Sequence, residues 1–313
     1  MKKNNWLMPI VVAGLAIHTF NNKLFNVSKE KLRKRELTQK VYNWKFGTIS
    51  YKKYGAGDPI LLIHDTFSGS SSVEFDRLTH QLSKKYEVFC LDLLGYGFSE
   101  RATITYTAYL YVQLVNDFIN EIIAKDNVSV ITSGNSHIFA LMCSQQENYL
   151  IKKLIMINPG DLRLISMNPT KRDHALKYLL ELPFIGTTLY NLIHCRSNFN
   201  NLFSKSKNSN MMSFYVDQFY HNAHFENSNA RYPFASYVTN YLNLDIREIL
   251  KESNMSLYII SGESRDFDYR IVHKQYTDYN PSIECEVIKK ASDFPHLENP
   301  FATYDILQLF LQD

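Results

Sequence analysis

Short apolar runs alternate along this chain with segments whose apolar residues recur at helical spacing. Runs of five or six residues are typical of strands buried in a sheet, and strands that alternate with helices form a parallel sheet covered on both faces. The sequence therefore predicts a doubly wound, mostly parallel α/β domain. The predicted strands lie at 60–64, 87–92, 128–132, 153–158, 256–261 and 284–289.

Two departures from this alternation define the predicted organisation. Residues 42–55 alternate large apolar and polar side chains around Gly47, which predicts a β-hairpin ahead of the parallel strands. Between about 160 and 250 the strands give way to a helical stretch rich in Tyr and Phe. We expect a core of residues 41–159 and 251–313, with 160–250 inserted as a helical cap over the sheet.

Residues 1–40 differ from the rest of the chain in charge. They hold nine Lys or Arg against two Glu, a net charge of +7, whereas the remaining residues carry a net charge of −4. Trp6 to Phe20 has no formal charge, and a basic run from Lys23 to Lys40 follows. Fifteen apolar residues are short for a spanning helix, which needs about 20. The pattern predicts a membrane-seeking segment whose basic residues meet anionic headgroups.

Three readings of this segment stay open: an uncleaved anchor, an exported leader, and a soluble packing helix. The anchor places the main domain in the cytoplasm, because more basic residues follow the apolar run than precede it. The rest of the chain is mildly acidic, so it does not have the excess of basic residues that binds nucleic acid. The four cysteines form no CxxC pair and the ten histidines are scattered, so no metal or cofactor is expected.

The turn after the second parallel strand carries the first resemblance to a known family. Asp92, Gly95, Gly97 and Ser99 stand in the spacing D-x-x-G-x-G-x-S. This segment resembles the corresponding turn of the α/β-hydrolase family, and the strand order around it agrees. The resemblance implies a capped serine hydrolase-like fold over about 42–312. We interpret these glycines as shaping a tight loop without taking part in chemistry.

The second resemblance places a nucleophile and its oxyanion hole. Ser136 follows a strand, opens a helix and has Gly134 two residues before it, as in the family's nucleophile elbow. Ile138 stands where the family has a second glycine. The resemblance implies that Thr66, after the first parallel strand, and His137 would supply the two oxyanion-hole N–H groups.

Beside Thr66, two residues of the same segment call for comment. Asp65 replaces a glycine of the family, and its carboxylate would oppose an oxyanion unless it points away. His64 is similar to the family's buried structural histidine, and we interpret it as structural.

The rest of the expected triad is disturbed. In the closing segment Asp293 stands at the catalytic histidine position, with His296 three residues later. At the acid position stands Arg265, followed by Asp266. A shifted loop would make His296 the base, and a one-residue slip would make Asp266 the acid. Alternatively, Arg265 and Asp293 form an ion pair where the acid and histidine would meet.

These residues leave three functions open. The chain is a serine hydrolase of small apolar esters or amides, using Ser136 with a substitute base drawn from Asp266, Asp293 or His296. Or it is a pseudoenzyme that retains the pocket to bind a small apolar molecule or a protein. Or it is a membrane-tethered structural protein whose pocket is irrelevant. An open apolar pocket favours the second reading over the third, and a pocket filled by the cap favours the third.

Overall fold

Eight strands form one sheet in the computed structural model, which describes residues 7–37, 39–204, 209–225, 228–265 and 268–312. In chain order the strands are β1 (Lys40–Trp44), β2 (Gly47–Tyr54), β3 (Pro59–Ile63), β4 (Glu87–Leu91), β5 (Val128–Ser133), β6 (Ile151–Ile157), β7 (Ser256–Gly262) and β8 (Glu284–Ile288).

The order of the strands across the sheet is β1-β2-β4-β3-β5-β6-β7-β8. β1 and β2 form the predicted antiparallel hairpin, and β2 also runs antiparallel to β4. The neighbours from β4 to β8 are all parallel. The predicted mostly parallel sheet is confirmed, since the apolar runs of β3 and β5 lie fully buried between the helices on its two faces.

Helices cover the two faces and connect the strands. In chain order they are α1 (Leu7–Glu36), α2 (Asp76–Leu82), α3 (Ala108–Phe118), α4 (His137–Gln146), α5 (Leu162–Ile165), α6 (Lys171–Glu181), α7 (Pro183–Ile193), α8 (Arg196–Leu202), α9 (Ser209–Ala223), α10 (Arg231–Val238), α11 (Arg247–Glu252), α12 (Tyr269–Tyr279), α13 (Pro295–Glu298) and α14 (Pro300–Gln312). The helices between β6 and β7 are called the cap below.

Helix α1 is attached to the cap through its second half. Asn21, Phe25, Ser28 and Leu32 recur on one side of the helix and are buried. The side-chain amide of Asn191 on α7 donates to Asn21 Oδ1 at 2.7 Å. The expected N-terminal segment is therefore partly a packing helix. Within the described residues, none of the helices has the length and apolar character needed to cross a bilayer.

Candidate active site

The loops that follow the parallel strands meet at one edge of the sheet, where ligands bind in open α/β folds. Each loop brings a polar residue to this edge. These residues are Asp65 after β3, Asp92 after β4, Gly134 to Ser136 after β5, Asn158 after β6, Arg265 after β7 and Asp293 after β8.

The Asp92 loop has the structural role that the sequence predicted. The Asp92 carboxylate accepts hydrogen bonds from the backbone N–H groups of Ser72 at 2.7 Å and Phe98 at 2.9 Å. Gly97 has a φ of +50°, and a Cβ there would lie 2.3 Å from the Asp92 carboxylate. The glycine is required for this close approach, and the Asp92 carboxylate is fully engaged in holding the loop.

His64 is also structural. Its Nε2 accepts a hydrogen bond from the backbone N–H of Leu93 at 3.0 Å, so Nδ1 carries the proton and donates to the carbonyl of Asp65 at 2.6 Å. Both ring nitrogens are thus used to join the loop after β3 to the loop after β4. The imidazole has no lone pair left to act as a base.

The turn between β5 and α4 places Ser136 differently from the sequence-based expectation. Ser136 is fully buried, and its hydroxyl donates to the backbone carbonyl of His64. The residue that takes up the left-handed conformation directly after β5 is Gly134, with a φ of +57°. The expectation that Ser136 is lifted off the sheet towards a substrate is therefore wrong, because the strained position lies two residues earlier.

His137 is likewise engaged elsewhere. Its backbone N–H donates to the carbonyl of Asn135 within the helical turn and does not face the site. Its Nδ1 donates to the Gly134 carbonyl at 2.9 Å, and its Nε2 lies 2.7 Å from the Tyr276 hydroxyl. Burial lowers the pKa of His137 to about 4, so the ring is neutral at physiological pH. The predicted oxyanion-hole role of His137 is wrong.

Two other backbone N–H groups do converge at this edge of the sheet. The N–H of Thr66 donates to Asp65 Oδ1 at 2.7 Å, and the N–H of Asn135 donates to the same oxygen at 3.1 Å. In this fold an oxyanion hole is built from an N–H after β3 and the N–H of the residue that follows the nucleophile. Thr66 follows β3 and Asn135 follows Gly134, so the two N–H groups that donate to Asp65 Oδ1 come from the loops after β3 and β5.

The Asp65 carboxylate fills the space beside Gly134. A Cβ built on Gly134 would lie 2.1 Å from the Asp65 carboxyl carbon and 2.2 Å from its Oδ2. Real Cβ atoms do not approach other atoms this closely, so the site holds either a side chain at position 134 or the Asp65 carboxylate, but not both. The carboxylate therefore lies between Gly134 and the N–H groups of Thr66 and Asn135.

Electrostatics at Asp65 oppose its ionisation. Burial, and then the neighbouring Glu74 carboxylate, raise the pKa of Asp65 to about 7, against the lowering effect of the Asn135 and Thr66 N–H groups and of Arg265. Its own charge adds to the effect of burial in raising the pKa of Tyr96 and Tyr237. The charge of this carboxyl group therefore changes near neutral pH.

His296 lies against Glu74. Both side chains are fully buried, and His296 Nε2 is 3.7 Å from Glu74 Oε2. The imidazole stacks on the Phe75 ring with the centroids 5.3 Å apart. Among the described residues neither ring nitrogen has a hydrogen-bond partner. His296 is thus aligned with a carboxylate, and no bond joins it to Ser136.

The predicted ion pair of Arg265 and Asp293 is not formed as a hydrogen-bonded contact. The Arg265 Nη2 donates to the carbonyl of Pro159 at 3.0 Å, and Nε and Nη1 have no hydrogen-bond partner among the described residues. Burial lowers the pKa of Arg265, and the charge of Asp293 acts against that change, so the two groups interact at longer range. Asp266, the alternative acid, lies outside the described residues.

Asn158 joins the three loops that would carry the acid and the histidine, and sequence reasoning missed it. Its side-chain nitrogen donates to the carbonyls of Ser292 at 2.9 Å and Asp293 at 2.8 Å. Its Oδ1 accepts from the N–H of Gly262 at 2.9 Å. The only signal in the sequence is its place directly after a buried strand, which says nothing about loops more than 100 residues away.

Replacing Asn158 should destabilise the protein. Asn158→Ala removes three hydrogen bonds made by a buried side chain, and we expect it to lower the free energy of unfolding by roughly 2–3 kcal/mol. Asn280 offers a matched control for a buried amide, since its side chain donates to two carbonyls remote from the site. Urea unfolding gives both values. Proteolysis in the 290–296 loop should increase in Asn158→Ala alone.

The cap closes directly over this edge. Phe203 and Phe219 pack on Phe294, with ring centroids 5.0 and 5.7 Å apart. A Cβ at Gly69 would lie 2.4 Å from the carbonyl oxygen of Phe219, so α9 touches the loop after β3. The cavity enclosed between that loop, Tyr96 and the cap measures about 10 Å³, near the lower limit for one water molecule. Aromatic side chains thus fill this part of the expected pocket.

Comparison with known proteins agrees with the architecture. A hydrolase of 2-hydroxy-6-oxo-6-(2'-aminophenyl)hexa-2,4-dienoic acid from Metapseudomonas resinovorans is 26% identical over 113 residues, which are 36% of this chain and 39% of that protein. An uncharacterized Mycobacterium tuberculosis protein is 24% identical over 111 residues, 36% of this chain and 32% of that protein. The matched segment thus spans well under half of either relative. No protein-family model matches the sequence.

Solved structures resemble the chain over most of its length. A serine hydrolase involved in carbazole degradation has a TM-score of 0.70 at 16% identity, covering 88% of this chain and 98% of that one. The bromoperoxidase from Bacillus anthracis has a TM-score of 0.70 at 15% identity, and the enol-lactonase from Burkholderia xenovorans LB400 one of 0.68 at 14%; each comparison covers 88% of this chain and 100% of the other. At such identities the likeness concerns architecture, and it shows that this chain has the α/β-hydrolase fold.

Proposed function

We propose that this protein is a non-hydrolytic member of its fold, a pseudoenzyme whose oxyanion hole is closed by its own Asp65 carboxylate. The observation that carries the proposal is the pair of N–H groups, from Thr66 and Asn135, that both donate to Asp65 Oδ1. An oxyanion hole accelerates acyl transfer by keeping its donors directed at the place where negative charge develops. Here the two donors are already bound to a carboxylate of the chain itself.

The residues that lie beside the two N–H groups support the same conclusion. Position 134 is a glycine, and the buried Ser136 hydroxyl donates its proton to a carbonyl oxygen. A serine becomes nucleophilic at neutral pH when an adjacent base accepts its proton. Among the described histidines, His64 and His137 have their nitrogens engaged, and His296 faces Glu74.

The alternative function, hydrolysis of small apolar esters or amides, draws support only from the fold. It would require Ser136 to leave its bond to His64, a base to reach it, and Asp65 to leave the oxyanion hole. The cavity between Gly69, Tyr96 and the cap, of about 10 Å³, is also too small for such a ligand. We therefore propose that the protein acts through its outer surface.

A serine-reactive fluorophosphonate probe tests the proposal. We expect no labelling of the full-length protein above that of Ser136→Ala, while an active serine hydrolase in the same assay is labelled to completion. Hydrolysis of p-nitrophenyl acetate should likewise be equal in the two proteins. Labelling of the unmodified protein that Ser136→Ala abolishes would overturn the proposal, since it would require a working base and an open oxyanion hole.

A further inference from the structure

The first half of α1 extends beyond the part that packs on the cap. Gly14 to Phe20 are all exposed, and burial begins at Asn21 in this continuous stretch of described side chains. The apolar side chains of this half are more exposed than is usual for their type: Val12 is 61%, Leu15 61% and Phe20 65% exposed. At about 100° per residue Val12 and Leu15 lie about 60° apart on one face. Phe20 and the exposed Ile17 lie about 80° and 140° from Val12 on the other side, so exposed apolar side chains cover about 200° of the helix, more than a single protein groove would cover.

Helix α7, on which α1 is seated, presents a second apolar face. Its eleven residues include no charged side chain. Phe184, Ile185 and Leu192 lie on its outer side and are 67%, 54% and 66% exposed. Gly186, Thr187, Tyr190 and Asn191 form the opposite, buried side. A surface helix of a soluble domain normally shows polar residues outward, so α7 has an outer face suited to an apolar medium.

The two apolar features are adjacent. The His18 ring on α1 contacts the Phe184 ring on α7, with their centroids 6.4 Å apart. The hydrogen bond between Asn191 and Asn21 fixes the crossing of the two helices. Exposed apolar side chains therefore continue from the free half of α1 onto the outer face of α7, and together they are called the α1–α7 surface.

Charge beside this surface matches an anionic bilayer. Lys23, Lys31 and Arg33 follow the apolar half of α1 and are exposed, while Glu30 is the acidic residue among them. Residues from Leu7 to Phe20 cover about 20 Å of helix, which is less than the roughly 30 Å of a hydrocarbon core but more than one leaflet of it. Basic side chains next to an apolar helix end lie at headgroup level when that end is inserted.

We infer that the α1–α7 surface is a monotopic membrane-docking surface: the apolar half of α1 enters one leaflet of an anionic bilayer, α7 rests in the interface, and the basic residues of α1 contact the headgroups. The cap, and not the opposite edge of the sheet, then faces the membrane. This inference is independent of whether the site hydrolyses anything, because none of its residues belongs to the site. The other occupant that such a surface could have is a second copy of the chain.

Flotation with lipid vesicles tests the inference on the full-length protein. We expect binding to phosphatidylcholine vesicles containing 30% phosphatidylglycerol, at least tenfold weaker binding to phosphatidylcholine alone, and partial release at high salt. Phe184→Gln with Leu192→Gln should weaken binding to the anionic vesicles at least tenfold. The matched control is Phe301→Gln with Leu309→Gln on α14, two side chains as exposed, at 69% and 64%, which should bind as wild type does.

A fluorescent reporter separates contact from indirect effects. In a Trp6→Phe background, where Trp44 gives the same signal in both variants, the additional emission of Phe184→Trp should shift to the blue on vesicle binding and be quenched by brominated lipid, whereas that of Leu309→Trp should not. If the α7 variants bind like the wild type, or if Phe184→Trp is not quenched, α7 does not touch the membrane and the inference is wrong. A stable dimer in solution that ignores both vesicle types would identify the second copy as the occupant and would overturn it equally.

Discussion

Gly134→Ala should lower the free energy of unfolding of this protein far more than a glycine-to-alanine change in a turn normally does. A Cβ at Gly134 would lie 2.1 Å from the Asp65 carboxyl carbon, and the residue has a φ of +57°. The left-handed backbone costs an alanine about 1 kcal/mol, and displacement of a packed neighbour costs roughly 1–3 kcal/mol more. We therefore expect the free energy of unfolding to fall by roughly 3 kcal/mol, as measured by urea denaturation.

The same destabilisation should largely disappear when Asp65 is removed. In the Asp65→Gly background the space beside position 134 is empty, so Gly134→Ala should cost only the backbone strain of about 1 kcal/mol. The double-mutant cycle should give a coupling energy of roughly 2 kcal/mol between the two positions. Additive effects would mean that the Asp65 carboxylate does not occupy the space beside Gly134.

Gly97→Ala supplies the matched control for this cycle. Gly97 also has a positive φ, and its Cβ would also meet a carboxylate, that of Asp92, at 2.3 Å. Gly97→Ala should destabilise the protein by a similar amount, but Asp65→Gly should not relieve it. A cycle in which Asp65→Gly rescues both alanine variants would point to a general loosening of this edge.

Asp65→Asn should change how stability depends on pH. The pKa of Asp65 is about 7 in the folded protein, against an ordinary value of 3.8. Between these values the folded chain retains a proton that the unfolded chain has lost, so the free energy of unfolding falls as the pH rises from about 4 to about 7. The loss attributable to Asp65 is on the order of 4 kcal/mol and is complete above that range.

An asparagine keeps the acceptor oxygen for Thr66 and Asn135 but does not titrate. Urea unfolding at pH 5 and pH 8, at one ionic strength, should show Asp65→Asn gaining stability over the wild type at the higher pH. Other ionisable side chains also face this carboxyl group, namely Glu74, Arg265, Tyr96 and Tyr237. The difference in stability between Asp65→Asn and the wild type is therefore compared at the two pH values.

Asp161→Asn is the control for the pH experiment. The bond to Arg163 holds the pKa of Asp161 at about 2, so this carboxylate stays ionised from pH 5 to pH 8. Its replacement should shift the stability equally at both pH values. If Asp65→Asn also shifts both values equally, Asp65 is already ionised at pH 5 and the burial described above does not raise its pKa.

By itself the sequence determined the α/β architecture and the Asp92 turn. The apolar runs of β3 to β7 are local signals, because each strand must bury its own residues on both faces whatever its neighbours are. The spacing of Asp92, Gly95, Gly97 and Ser99 is local too, since the carboxylate closes a turn only six residues long. Such features depend on residues that are close together in the chain, so they can be predicted from the sequence.

Only the tertiary structure decided the chemistry of the site. The G-x-S triplet does not show whether Gly134 or Ser136 has the left-handed conformation. That is decided by where β5 ends in the sheet, directly before Gly134. The direction of the Asp65 carboxylate depends on an N–H group 70 residues away, at Asn135. Likewise α1 reads as a separate apolar segment until its contacts with α7 and α9 are seen. These contacts join distant parts of the chain, and residue patterns within one segment do not specify them.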